Sequence, residues 1–185
     1  MKTNSNEPAF LQYHHERGPN EAKTRELILH ISRHRFGLTR LNKALWKADF
    51  DAYRVTGQSI TGEEYQHIQY GPGLRRMRPL LGKMQQAGEL QFEAAQEFQE
   101  QNPVPQREAN LRRVGLSEQE IQIVDGAIAL LEGMTASEAR DWSHDFAGWK
   151  LTDYGEPIPY EWIYWSERPL TGAEIEYGLS LDRAL

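Results

Sequence analysis

The chain of 185 residues contains no cysteine. That excludes disulfides, thiolate zinc sites, iron–sulfur clusters and cysteine nucleophiles, and it is compatible with a reducing compartment, so the cytoplasm is the expected location. Long apolar runs are missing as well. The most apolar stretch, Gly126 to Leu131, is far shorter than the ~20 residues a bilayer-crossing helix needs, and a membrane partner is not expected. The amino-terminal stretch has no apolar segment behind Lys2 and does not read as a secretory signal. There is no G-x-S-x-G elbow, no P-loop and no G-x-G-x-x-G fingerprint, so no motif supplies a nucleophile or a phosphate cradle. No cofactor is implied. The missing chemistry points to a binding protein rather than an enzyme.

Charge of one sign is not lacking, but it is unevenly placed. The chain carries 27 acidic and 21 basic side chains, a formal charge of -6. Met1 to Leu90 holds 14 Lys/Arg against 9 Asp/Glu, a balance of +5, and Gln91 onward holds 7 against 18, a balance of -11. This asymmetry predicts two faces of opposite sign, one of them able to steer a charged partner. The total is far from the basic footprint of a nucleic-acid binder, which demotes DNA or RNA as a partner.

Residues 1–20 are polar and read as a mobile arm. Leu27, Ile28 and Ile31 fall at helical spacing and predict a first helix over Glu21–Phe36, closed by Gly37 in the manner of a C′ glycine. Thr39 is placed to cap a second helix that runs to Thr56 and stops at Gly57. Its broad apolar stripe, from Leu41 to Tyr53, suits the central helix of a core, with Lys43, Lys47 and Arg54 pointing outward. Asp49 borders that stripe and is expected to bond to a neighbouring donor. Between Thr61-Gly62 and Gly71-Pro72-Gly73 there is room for one strand or extended connection. A third helix over Leu74–Ala87 contains Pro79, which should kink or split it. Leu90, Phe92 and Ala94 alternate as a half-buried strand does. Residues 95–110 read as a solvated loop or hairpin tip returning through Leu111 to Val114.

Ser117-Glu-Gln-Glu120, Thr135-Ala-Ser-Glu138 and Thr171-Gly-Ala-Glu174 share the capping-box signature. The helix behind the first is apolar around most of its circumference, which predicts deep burial. The third opens a capped helix in the carboxy-terminal segment 167–185. Tyr154 to Trp165 gathers Tyr160, Trp162, Tyr164 and Trp165 with two prolines, and is expected to lie extended across the helices. Those rings either cover the core or form an exposed aromatic patch for a partner.

Arg75-Arg76-x-Arg78 is the densest basic cluster. Cations at a helix start oppose the macrodipole, so they are placed for an acidic partner, phosphate or carboxylate, or else merely solvated. His30 and His34 stand at i, i+4 but lack a third ligand, which makes a metal site weak, and His14-His15 is weaker still. His144 with Asp141 and Asp145 could be drawn as an acid–base site, although a hydrogen-bonded helix histidine explains it more simply.

At Leu41-Asn-Lys-Ala-Leu-Trp-Lys-Ala-Asp-Phe50 the sequence resembles the Panacea domain, the SocA-like antitoxin domain of bacteria and phages, whose helix reads approximately L-N-K-L-L-Y-F-A-D. The same order continues in Gly57, Ile60-Thr-Gly-Glu-Glu64, Tyr70-Gly-Pro72, the His144 to Trp149 segment, Gly155 and Ile158. The likeness covers roughly residues 25 to 165. It implies a mainly α (α+β) single-domain fold over residues 21–166, a helical core with a small β-hairpin or short strands. It also implies the antitoxin of a toxin–antitoxin pair that neutralises a cognate protein toxin by direct contact, with delivery of the toxin to a protease in the founding type. Ala44, Trp46-Lys47 and the arginines after Gly73 depart from the family pattern. Arg75, Arg76, Arg78, Tyr160, Trp162, Tyr164 and Trp165 are the expected partner-binding residues. The alternative is a DNA-binding regulator whose arginine cluster meets phosphate.

Overall fold

The computed structural model describes residues 18–94 and 101–165; residues 1–17 of the expected arm, the tip of the second hairpin and the capped helix at Thr171 lie outside them, while Asn20, at the end of that arm, is held in place as the N-cap of the first helix. Among the described residues the order is α1 (Glu21–Ser32), α2 (Leu38–Thr56), β1 (Tyr65–Ile68), β2 (Gly71–Leu74), α3 (Met77–Gln86), β3 (Leu90–Ala94), β4 (Gln101–Pro105), α4 (Glu118–Glu132), α5 (Ala136–His144), α6 (Ala147–Lys150) and a 3-10 turn, Tyr160–Tyr164. The fold is mainly helical with two antiparallel strand pairs, β1–β2 and β3–β4.

Helix α2 is the centre. Leu41, Ala44, Leu45, Ala48 and Phe50 are completely buried, and α1, α4, α5, β2 and the 3-10 turn all pack on it. Gly57 ends it in the left-handed region, at φ 74°, as its sequence predicts. Its start differs from expectation. Gly37 is the N-cap, with no side-chain cap bond, and α1 ends at Ser32. Arg35 takes the positive φ between them, which turns the chain so that Phe36 enters the core under the Arg40 guanidinium.

Several other expectations are corrected. Lys43 does not point outward: it is 1% exposed. The segment after Gly62 forms a complete hairpin, with Tyr65 opposite Leu74 and Ile68 opposite Gly71. Pro79 neither kinks nor splits α3, because that helix begins only at Met77 and Pro79 falls in its first turn, where no N–H is needed. The partner of β3 is Gln101–Pro105, not Leu111–Val114. Both prolines fit because the Gln106 N–H bonds the Glu89 carbonyl, which puts Pro105 and Pro103, opposite Leu90 and Phe92, at positions whose N–H would face away from the ladder.

Helix α4 buries one face only, Val124, Ala127, Ile128 and Leu131, and leaves Leu130 exposed. The capping boxes at Ser117 and Thr135 both form. The two charge halves do not separate into two faces. Lys23 and His30 of α1 and His34 just beyond it pair with Glu120, Asp125 and Glu132 of α4 at 3.1, 2.9 and 2.6 Å, while Glu26 holds Arg107 at 2.8 Å. Basic and acidic segments therefore interleave along the α1–α4 contact. This also assigns His30 and His34 to carboxylates, and no cluster of three or more metal-ligating side chains occurs among the described residues. No described helix is long and apolar enough to cross a membrane.

Candidate functional site

Three polar residues of the Leu41–Phe50 segment fasten α2 to the first hairpin. The Asn42 side chain accepts from the Leu74 N–H at 3.0 Å and donates to the Leu38 carbonyl at 2.9 Å. Lys43 Nζ donates to the Pro72 carbonyl at 2.7 Å. Asp49 accepts from the Thr61 N–H and hydroxyl and from the Tyr65 hydroxyl, the last at 2.7 Å. The neighbour-bonded reading of Asp49 thus holds. Burial pushes its carboxyl up to about 6, against the pull of those donors. Burial likewise brings the Lys43 ammonium down to about 7, since no carboxylate bonds it and a single carbonyl must serve it.

The arginine cluster divides once it is folded. Arg76 grips Glu63, which is 1% exposed, through two donors at 2.7 and 2.5 Å, and also bonds Glu21 at 2.8 Å. The hydrogen bonds it donates to Glu63 raise its guanidinium still further above the usual range. Arg75 is exposed and pairs with the exposed Glu64. Arg78 is exposed and has no carboxylate partner among the described residues. Arg76→Ala should therefore cost roughly 2 kcal/mol in denaturant unfolding, because it leaves the Glu63 charge buried and unpaired, whereas Arg78→Ala should stay within about 0.5 kcal/mol of wild type.

The aromatic segment divides in the same way. Tyr160 is 4% exposed, stacks on Phe50 at 4.5 Å and donates to the Glu63 carbonyl at 2.7 Å. It is a core residue, so a partner cannot reach it. Trp162 is half-buried, and Tyr164 and Trp165 are exposed. Tyr164 donates to the Tyr53 carbonyl at 3.1 Å, which places this patch at the carboxy-terminal end of α2. The chain is not extended here, since Tyr160–Tyr164 coils into a 3-10 turn.

His144 is not assembled with its acidic neighbours. Asp141 pairs with Arg140 and Asp145 with Lys150. The imidazole instead lies flat on Trp149, centroids 3.9 Å apart and planes 2° apart, and His67 covers the opposite face of the indole at 4.3 Å. Burial, followed by the Lys43 and Arg140 charges, lowers the His144 pKa.

The feature that residue-by-residue reading misses is a groove of about 1060 Å³ at the other end of α2, bounded by β1–β2, the start of α3, the β3–β4 pair and α5. Leu38, Ile68, Leu74, Met77, Leu81 and Phe92 give it apolar surface. Among the described residues its charged lining is Lys43, Arg75, Arg78 and Arg140, with no Asp or Glu. Tyr70 and Tyr154, 51% and 73% exposed, stand at its edge. The candidate residues fall into two places: Arg75 and Arg78 line the groove, and Trp162, Tyr164 and Trp165 lie away from it. Arg140 carries no motif of its own, whereas Tyr70 belongs to Tyr70-Gly-Pro72 and Tyr154 opens the aromatic segment.

No curated protein and no solved structure matches the chain. The family model of the antitoxin SocA-like Panacea domain matches residues 41–150, well over half of the chain. That span opens on Leu41 and holds every residue that fastens α2 to the hairpin. It ends on α6, before the aromatic segment. By this match the protein belongs to the SocA-like Panacea antitoxin family.

Proposed function

We propose that this protein is the antitoxin of a toxin–antitoxin pair and silences its toxin by direct protein contact. The observation that carries the reading is the family match over residues 41–150, an antitoxin-like domain whose motif residues are spent on holding the fold and whose groove and exposed rings are left for a partner. The basic cluster supports DNA binding less well. Arg76 is committed to the fold by the buried Glu63 and by Glu21, so the cluster cannot meet phosphate as a unit.

The test is expression of the product of the adjacent reading frame with and without this chain. Growth arrest by the neighbour alone, restored growth on co-expression and co-purification of the two proteins are expected. A neighbour that is harmless, or arrest that this chain does not relieve, would overturn the proposal. The half-life of the toxin in the rescued cells separates occlusion from delivery to a protease. Duplex DNA bound with a steep salt dependence would favour the regulator instead.

A further inference from the structure

We infer that the groove beside the first hairpin is the seat of an acidic segment of the toxin, one that carries apolar side chains between its carboxylates; the inference rests on the antitoxin reading for its partner. Charge complementarity commits the groove to this occupant. The chain as a whole is acidic, at -6, yet among the described residues every charged side chain lining the groove is a cation. A walled concavity of one sign concentrates the opposite charge. Arg78 has no carboxylate among the described residues, so an incoming one would displace only water. Arg75 and Arg140 hold exposed carboxylates, Glu64 and Asp141, and exposed pairs of that kind exchange at little cost.

The groove also asks for more than charge. Leu38, Ile68, Leu81 and Phe92 present apolar surface beside those cations, and the Tyr70 and Tyr154 rings offer rim contacts of the kind that anchor protein interfaces. Nucleic acid would satisfy the arginines and leave the apolar lining unmatched, which is why a peptide is the better fit. Residues 166–185 of the chain are net acidic too, but the described residues end beside the far end of α2, where Tyr164 bonds Tyr53. The groove reaches α2 at Leu38 to Lys43, roughly 15 to 22 Å from Tyr53 along the helix at 1.5 Å per residue.

The probe is a labelled peptide that alternates glutamate with leucine and phenylalanine, titrated against the full chain, beside its counterpart with glutamine at every glutamate. The acidic peptide should bind about tenfold or more tightly than the glutamine form, and Arg78→Glu with Arg140→Glu should weaken it by a similar factor. Arg113→Glu, an exposed arginine outside the groove, should leave it unchanged. Thermal unfolding of each variant confirms an intact fold. No binding, equal binding of the two peptides, or indifference to the double reversal overturns the inference. Tighter binding of duplex DNA that displaces the peptide overturns it in favour of nucleic acid. A gain in peptide affinity in Glu174→Gln with Glu176→Gln overturns it in favour of the chain's own tail. Purified chain and peptide report on the groove whether or not the neighbouring product is toxic. Conversely, rescue of growth by the double reversal sinks the groove and leaves the antitoxin reading standing.

Discussion

Gly71→Ala should lower stability by about 3–4 kcal/mol, against about 1 kcal/mol for Gly57→Ala. Both glycines have positive φ, 93° and 74°, so the conformational penalty of a Cβ is similar at the two positions. The surroundings are not. Nothing lies within 4 Å of a Cβ at Gly57, whereas at Gly71 it would overlap Ser143 Oγ and stand 2.8 Å from Lys43 Nζ. Neither neighbour can step aside freely. Ser143 Oγ donates to the Arg140 carbonyl at 2.7 Å and Lys43 Nζ to the Pro72 carbonyl at 2.7 Å. The alanine therefore has to push β2 away from α2 and α5 together. Urea unfolding of the two variants checks this. A Gly71→Ala cost equal to that of Gly57→Ala would mean that the hairpin does not sit so close to those helices.

The second large effect is a pH dependence carried by Lys43. Its ammonium titrates near 10.5 when exposed and at about 7 in the fold. Between those values the unfolded chain holds the proton and the native one does not, so stability rises with pH through that window. Below about 7 both states are charged, and the fold bears the full burden of a buried cation. The stability of wild type relative to Lys43→Met should climb by roughly 4 kcal/mol from pH 6 to pH 10, with most of the change above neutrality. The comparison cancels the other titrating groups apart from His144, whose pKa the Lys43 charge lowers, a coupling that matters only at the acidic end of the range. Parallel curves for the two proteins would show that Lys43 reaches solvent or finds an anion.

How far the sequence foretells this molecule depends on whether a feature is local. Gly57 as a helix stop, the Ser117 and Thr135 caps and a strand over Leu90 to Ala94 are decided by a few adjacent residues, and all are present in the structure, although the strand's burial alternates only through Phe92 and Ala94 is exposed. The hairpin Tyr65–Leu74 escapes because its pattern is not periodic: β2 is Gly-Pro-Gly-Leu, buried at all four positions, and its pairing is set by α2 rather than by alternation. Lys43 escapes because nothing in a helical stripe announces that a lysine will reach a proline carbonyl 29 residues away.

The candidate site shows the same limit. Arg75, Arg76 and Arg78 look equivalent in sequence, and only Glu63, Glu21 and Glu64, brought in by the fold, decide which of them is occupied. Tyr160 and Tyr164 are four residues apart, yet one is stacked on Phe50 and the other is exposed. The groove itself has no linear signature, because α2, both hairpins, α3 and α5 each contribute a few residues.

The bonds that tie α2 to the first hairpin have a consequence for the order in which the chain is assembled. Asn42 to Leu74, Lys43 to Pro72, Asp49 to Thr61 and Asp49 to Tyr65 span 32, 29, 12 and 16 residues. Trp149 to Ile68, Tyr160 to Glu63 and Tyr164 to Tyr53 span 81, 97 and 111. Closing the short loops costs less entropy, so α2 and its hairpin are the favoured nucleus and the aromatic segment is its late clasp. Weakening the clasp then speeds unfolding and leaves the folding rate nearly untouched, whereas weakening the nucleus slows folding itself.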